Sequence, residues 1–523
     1  MRNMRVTMAS DMAPMTPLRP CRALVAATLG LALAGCDVGS GVSRPALNLP
    51  SGFRATPAAA RTIWPTQGWW RGFRSPVLDQ LIAAAEAYNF DIAAAIARVR
   101  QADAQVRIAG ASLLPALNAT AGASLTQEGL GSRNSSLTSL SVRSGSLTLH
   151  QYSIGLNVAY EADFWGRYRA GRQAAVASAA FSRFDAETVA LTVQTNVAQT
   201  WFTALSLVDR IDVARRNLAN AEQSLAVING RLAAGTATAL DRDQQGALVA
   251  SERANIPALQ SQLEQELIGL GILTGRAPEA ITVRPGTLTA LALPVVSPGL
   301  PSDLLRRRPD VAGAEAQLLA AKFDITAARA AFFPSVALTG QRGYANSALA
   351  TLLTPGGLIA SVAASLTQPV FDGGALRGQL EQAKGRYAEL LADYGKAVVQ
   401  AFTDVDNALT AWRYASEQEI LQRQAVETAR RAEAAARAQI AAGTADVTTL
   451  LTTETALFTD EDTLVQVRLA RVLALLNLYK ALGGGWVAPP GGPMDAFPGL
   501  DPGILAGGLA LPVALPISGG NQP

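Results

Sequence analysis

The sequence predicts a mixed α+β membrane protein, in which long α-helical hairpins adjoin β-strands that can close a barrel only together with other chains. Three observations lead there: one unit occurs twice along the chain, four segments of about ten residues alternate apolar with polar or small side chains, and two long stretches lack proline. About ten residues is the length at which a tilted strand crosses a bilayer. A proline-free stretch rich in Ala and Leu suits a long helix.

Composition sets bounds but no function. Among 523 residues, 44 are Lys or Arg and 41 are acidic, a net charge of +3 that gives no reason to expect a nucleic-acid partner. Near the N-terminus, Arg19 and Arg22 precede an apolar run over residues 23–34, the length of a signal-peptide core and too short to span a bilayer. The run ends in Leu33-Ala34-Gly35-Cys36, which resembles the lipobox at which bacterial lipoproteins are cleaved and acylated. On that reading residues 1–35 are a lipoprotein signal peptide and Cys36 carries a covalent lipid. The alternative is a buried helix ending in an incidental cysteine. Because Cys21 would be removed, the mature chain would have no disulfide. Met4, Met8, Met12 and Met15 leave open a later start.

The duplication orders the rest. Residues 90–115 align with residues 309–334 at an offset of 219, Phe164-Trp165-Gly166 with Phe371-Asp372-Gly373 at 207, and Leu232 to Thr236 with Ile440 to Thr444 at 208. The change of offset places an extra Ser/Gly-rich loop in the first copy between Gln127 and Leu147. After a 36–75 linker or equatorial segment, the first repeat is expected at 76–280, with strands near 116–126 and 149–162 and a hairpin at 167–273. A linker at 281–301 leads to a second repeat at 302–486, with strands near 335–342 and 358–370 and a hairpin at 376–482. A disordered tail is expected at 487–523.

Tyr152, Ile154, Leu156, Val158 and Tyr160 show the strand period of two, with Ser153, Gly155, Asn157 and Glu161 on the other face. A helix over 167–229 would be about 95 Å long. In the second rod, Leu380, Tyr387, Leu390, Tyr394, Val398, Val405 and Leu409 recur at helical spacing, as in a helix packed along its whole length. Gly235 and Gly443 then mark the turns between rods and returning helices. Four strands cannot close a membrane barrel, since about eight are the fewest known, and an open edge in lipid would leave amides unpaired. Several chains must therefore contribute.

With the lipobox and duplication, the segment Arg308-Pro309-Asp310-Val311, the Leu114-Pro115 and Phe333-Pro334 steps, Phe371-Asp372-Gly373-Gly374 and the run from Leu478 to Trp486 complete the pattern. In their order and spacing they resemble the TolC-like outer membrane efflux proteins, in particular the NodT-type lipoproteins, over about residues 75–486. The resemblance implies a homotrimer with a 12-stranded outer-membrane β-barrel and a periplasmic helical barrel. It also implies a periplasmic adaptor (membrane fusion protein) and an inner-membrane pump, often of the RND type, as partners, with no enzymatic activity. The implied function is passive conduction of small toxic compounds or drugs to the exterior. The exit duct of type I protein secretion and a non-conducting coiled-coil scaffold are the rivals.

The resemblance marks Arg231, Leu232, Gly235, Thr236, Gln439, Ile440, Gly443 and Thr444 as candidate adaptor-contacting tips, although the glycines also simply close helices. Asp241, Asp243 and Asp446 are candidates for a periplasmic constriction, where threefold repetition would concentrate negative field. Asp241 equally suits the start of a returning helix. Related channels often carry acids after the second turn where this chain has Thr449 and Thr452. Asp37, after the cysteine, resembles an inner-membrane retention signal, whereas the strands argue for the outer membrane. His150 is the sole histidine, so no His-rich metal site is expected and the covalent lipid is the only attached group. Trp64, Trp69 and Trp70 fit either an interfacial anchor or packing against the helices.

Overall fold

A computed structural model describes Phe53 and residues 63–129, 146–280, 286–295 and 301–488. The expected signal peptide, Cys36, Asp37, most of the Ser/Gly loop and nearly all of the expected tail lie outside the described residues. The chain divides into two compact units, one containing Ser112–Ala170 and Thr326–Leu380, the other the remaining helices.

The first unit is a four-stranded antiparallel sheet in the order β1 (Ala116–Gly129), β2 (Ser146–Ala162), β3 (Ser335–Asn346), β4 (Leu358–Thr367). β3 extends beyond the expected 335–342, because ladder pairing with β2 continues to Asn346 after apolar alternation has lapsed at Gly340 and Arg342. β4 stops short of 370, since Pro369 has no N–H for the ladder.

In the second unit two short helices, α1 (Pro76–Tyr88) and α2 (Phe90–Ala111), precede the rod α3 (Arg167–Ala233) and its returning helix α4 (Ala239–Thr274). The second copy repeats this with α5 (Pro309–Ala330), the rod α6 (Ala375–Ala442) and α7 (Val447–Ala481). The rods hold 67 and 68 residues, about 100 Å each at the helical rise.

The joints between short helices and hairpins differ chemically in the two copies although they align. Asn89 is buried and caps α2, accepting from the amides of Asp91 at 2.8 Å and Ile92 at 3.1 Å, while its own amide donates to the Leu273 carbonyl at 2.8 Å. The matching Arg308 donates to Asp310 on α5 at 3.0 and 2.6 Å and to Asp404 on α6 at 2.8 Å. Either way, the start of a short helix is pinned to its own hairpin.

The Leu-Gly-Gly-Gly-Trp run has a steric cause. Gly483 and Gly485 have φ of +83° and +85°, and a Cβ on them would fall 1.7 Å from the Arg307 carbonyl oxygen and 2.2 Å from Thr66. The chain leaving α7 therefore passes against bare backbone. Trp69 is 3% exposed and stacks on Tyr479 at 5.4 Å, and Trp64 lies under the Arg307 guanidinium at 4.5 Å. These tryptophans pack within the helical unit.

Candidate functional site

The register brings like side chains to like faces. Leu156 of β2 lies opposite Ala119 on β1, Val158 opposite Leu117, and Tyr160 opposite Leu338 on β3, which in turn faces Ala364 on β4. Ile154, Leu156, Val158, Leu338 and Leu366 are all exposed, and Val362 is 92% exposed. The opposite face carries Asn118, Thr120, Asn157, Gln341 and Ser361, with Asn157 donating to the Thr120 hydroxyl at 2.8 Å. One sheet thus has an apolar face far larger than water tolerates and a polar face behind it. Among the described residues β1 and β4 each have one edge without a strand partner. His150 pairs with Leu125 on the apolar face, near the β1–β2 loop. At the other end, Trp165 stacks on Phe333 at 4.8 Å and donates to the Pro334 carbonyl at 2.7 Å, with Phe332 and Phe371 exposed nearby in the chain. Aromatic residues bordering an apolar band suit a membrane interface.

The hairpin ends repeat one motif. Gly235 and Gly443 both have φ of +72°, and both rods close by a Schellman motif. Thr236 N–H donates to Arg231 C=O at 2.8 Å and Gly235 N–H to Leu232 C=O at 3.0 Å; in the second copy Thr444 donates to Gln439 at 2.9 Å and Gly443 to Ile440 at 3.0 Å. The returning helices then swap cap chemistry. Thr238 caps α4 in a capping box with Asp241, whose carboxylate accepts from the Thr238 amide and hydroxyl at 2.8 Å each. At the aligned positions Asp446 caps α7 and accepts from Thr449 N–H at 2.8 Å and hydroxyl at 2.9 Å. These bonds from Thr449 hold the Asp446 carboxyl below its usual range. Asp243 is exposed and pairs with Arg242 at 2.7 Å. Arg231 donates to the Ile440 carbonyl at 3.0 Å, tying the first rod's end to the second's. The Ile440 side chain is 2% exposed and packs with Ile228, Val447 and Leu450, so it belongs to the core of the tip. Gly235, Thr236, Gln439, Gly443 and Thr444 are exposed.

The model of the family described as outer membrane efflux protein matches residues 81–276 and 300–484, one segment per copy. The chain belongs to the outer membrane efflux protein family. It is 40% identical over 441 residues to the pyoverdine export outer membrane protein OpmQ of Pseudomonas aeruginosa, covering 84% of this chain and 92% of that one. It is 30% identical over 474 residues to the cation efflux system protein CusC of Escherichia coli, covering 90% and 100%. The crystal structure of the open state of the Neisseria gonorrhoeae MtrE outer membrane channel superposes with a TM-score of 0.76 at 27% identity, covering 86% of this chain and 98% of that one. As a member of this family the chain is an outer-membrane efflux channel, and these relatives are channels and export proteins rather than enzymes. Among the described residues no helix is long and apolar enough to cross a membrane, and no group of three or more His, Cys, Asp or Glu could hold a metal ion.

Within this efflux-protein fold, two buried polar nodes join the hairpins, and the sequence reading did not single them out. Glu454 on α7 is fully buried and accepts from Ser224 on α3 at 2.5 Å, Gln245 on α4 at 2.8 Å and Arg437 on α6 at 3.4 Å, so all four hairpin helices meet on one carboxylate. Further along, buried Glu419 accepts from Arg423, from Arg468 at 3.3 Å and from Arg471 at 2.8 Å. Burial pushes the Glu419 carboxyl up, but hydrogen bonds from Arg471 and Arg423 outweigh it and leave it below the ordinary range. A signal was present: Glu419 and Glu433 stand at seven-residue spacing with Val426 and Ile440, and Glu454 lies between Leu450 and Leu457. A charge inside an apolar stripe is expensive unless paired, so each implied a partner.

Proposed function

We propose that three copies of this chain close a 12-stranded barrel by joining β1 of one copy to β4 of the next, with the apolar face toward lipid and the polar face toward a water-filled conduit. The observation that carries this is the sheet itself, which has a single apolar face and two unpaired edges. In hydrocarbon an unpaired edge costs several kcal/mol per bare amide, about the magnitude that makes closure obligatory. The helical hairpins of the three copies then form the periplasmic tunnel. Cys36, acylated after removal of residues 1–35, adds a lipid anchor.

The channel works in a tripartite system with a periplasmic adaptor and an inner-membrane pump of the RND type, which supplies the energy. The exposed tip residues Gly235, Thr236, Gln439, Gly443 and Thr444 form the adaptor-contacting surface, held in shape by Arg231 and Leu232. Asp241, Asp243 and Asp446 place negative charge at the tips, where three copies would form a constriction. The cargo is a small organic compound rather than a metal ion: the pyoverdine export protein shares 40% identity against 30% for the cation efflux protein. The returning helix α7 also presents Thr448, Thr452, Thr455 and Thr459, not acids, on its exposed side.

Recording from purified protein in a planar lipid bilayer tests the reading. Discrete conductance steps, larger at voltages that open the tips, are expected. Membrane-inserted trimers that pass no current at any voltage would refute a conduit and favour a scaffold.

A further inference from the structure

We propose that Arg342, with the phenols of Tyr344 and Tyr152, forms a binding site for the phosphate of an anionic membrane lipid on the outer surface of the sheet. This rests on the reading of the apolar face as lipid-facing.

Arg342 is the one Asp, Glu, Lys or Arg on that face among the described residues. Its register neighbours are Leu156 on β2 and Ala360 on β4. Its side chain is exposed and makes no ion pair or hydrogen bond among the described residues. A guanidinium does not deprotonate in proteins, so it cannot become neutral as a buried lysine can. A permanent charge on a lipid-facing strand is costly unless it reaches an interface or an anion.

The sheet shows where that anion would come from. β3 is an interior strand flanked on both sides by strands of its own chain, so a second copy joining at the β4 edge arrives two strand spacings away, about 10 Å. Toward the helix-side end, β3 itself offers Gly340, Leu338 and Val336 with no polar side chain, and the first phenol on that side, Tyr160 of β2, lies beside Leu338, about 13 Å along the sheet and twice as far as Tyr344. Toward the loop end it offers Tyr344, about 6.6 Å along the strand, and then Tyr152 beside Asn346. Neither phenol has a hydrogen-bond partner among the described residues. An extended arginine can therefore reach up to the level of Tyr344 with its aliphatic stem on the apolar surface. There the guanidinium fork meets two phosphate oxygens and the phenolic O–H groups donate to others. The lipid belongs to the leaflet on the β1–β2 loop side.

The test is native mass spectrometry of the full-length oligomer released from micelles holding equimolar phosphatidylglycerol and phosphatidylethanolamine with identical acyl chains. The wild type is expected to retain the anionic lipid about fivefold over the zwitterionic one, the preference one arginine confers near an anionic surface. Arg342→Lys should keep part of the preference and Arg342→Gln should abolish it, while Gln341→Ala, on the polar face, should leave it unchanged. Circular dichroism and oligomer mass establish that each variant is folded. A wild type without headgroup preference, or a folded Arg342→Gln protein that keeps it, overturns the assignment. So does equal retention of inorganic phosphate offered without lipid. Failure of the underlying reading looks different: no lipid of either class is retained, and a cysteine placed at Leu156 or Val362 reacts freely with a water-soluble maleimide in vesicles.

Discussion

Arg308 donates from Nη1 to Asp404 at 2.8 Å while its other nitrogens hold Asp310, so one nearly buried guanidinium fixes the start of α5 to the middle of α6. Arg308→Gln takes away the charge shared by two carboxylates that are each about a third exposed, a loss of about 1 to 3 kcal/mol. Arg308→Lys should recover less than half, because an ammonium cannot bind Asp310 bidentately and reach Asp404 as well. Denaturant unfolding of the detergent-solubilised protein measures both; an unchanged midpoint for Arg308→Gln would contradict a structural role for the Arg-Pro-Asp-Val segment.

Much of this joint was legible beforehand as a motif but not as chemistry. The duplication aligned Phe90 with Pro309, and so Asn89 with Arg308, yet nothing in the spacing told that one residue works through a side-chain amide and a carbonyl, the other through two carboxylates. The strands were legible because a period of two survives in β1 and β2, and the rods because proline is absent. The end of β3 was not, since Gly340 to Gly343 carry no alternation and hold their place through the ladder with β2. Glu454, Gln245 and Ser224 lie on three different helices, and only the tertiary fold brings them together.

The exchanged caps separate two roles for the tip acids. Thr238→Ala or Asp241→Ala should each cost about 1 kcal/mol, as loss of a helix cap does. The double exchange Thr238→Asp with Asp241→Thr rebuilds the cap seen at Asp446 and Thr449 and should restore wild-type stability. Asp241→Ala with Asp243→Ala should raise resting conductance and antibiotic leak if these acids also narrow the pore. Bilayer recordings and unfolding curves on the same preparations read the roles apart; unchanged conductance would leave Asp241 as a cap alone.

Acid should release the Glu419 node. Its carboxyl titrates below the ordinary range in the folded chain, so its contribution is complete above the unfolded-state value, about pH 4.3, and fades as the pH falls through the lower folded value. Glu419→Gln should destabilise the protein at pH 7 by about 1 to 3 kcal/mol, since three partly exposed arginines lose their shared charged acceptor. The gap between wild type and variant should narrow on acidification from pH 5 to pH 3. Thermal melts across that range check this; a gap that stays constant would show that the node does not carry the dependence.

The joining of β1 to β4 between copies can be captured covalently. Within one chain these strands are the two outer members of a four-stranded sheet, about 14 Å apart and beyond the reach of a disulfide. Val362→Cys on β4 would be combined in turn with Ala119→Cys, Ala121→Cys and Ala123→Cys on β1, all on the apolar face, and oxidised in native membranes. At least one pairing should give a covalent ladder that stops at three copies. A correctly folded protein that stays monomeric after oxidation in every pairing would contradict the shared barrel.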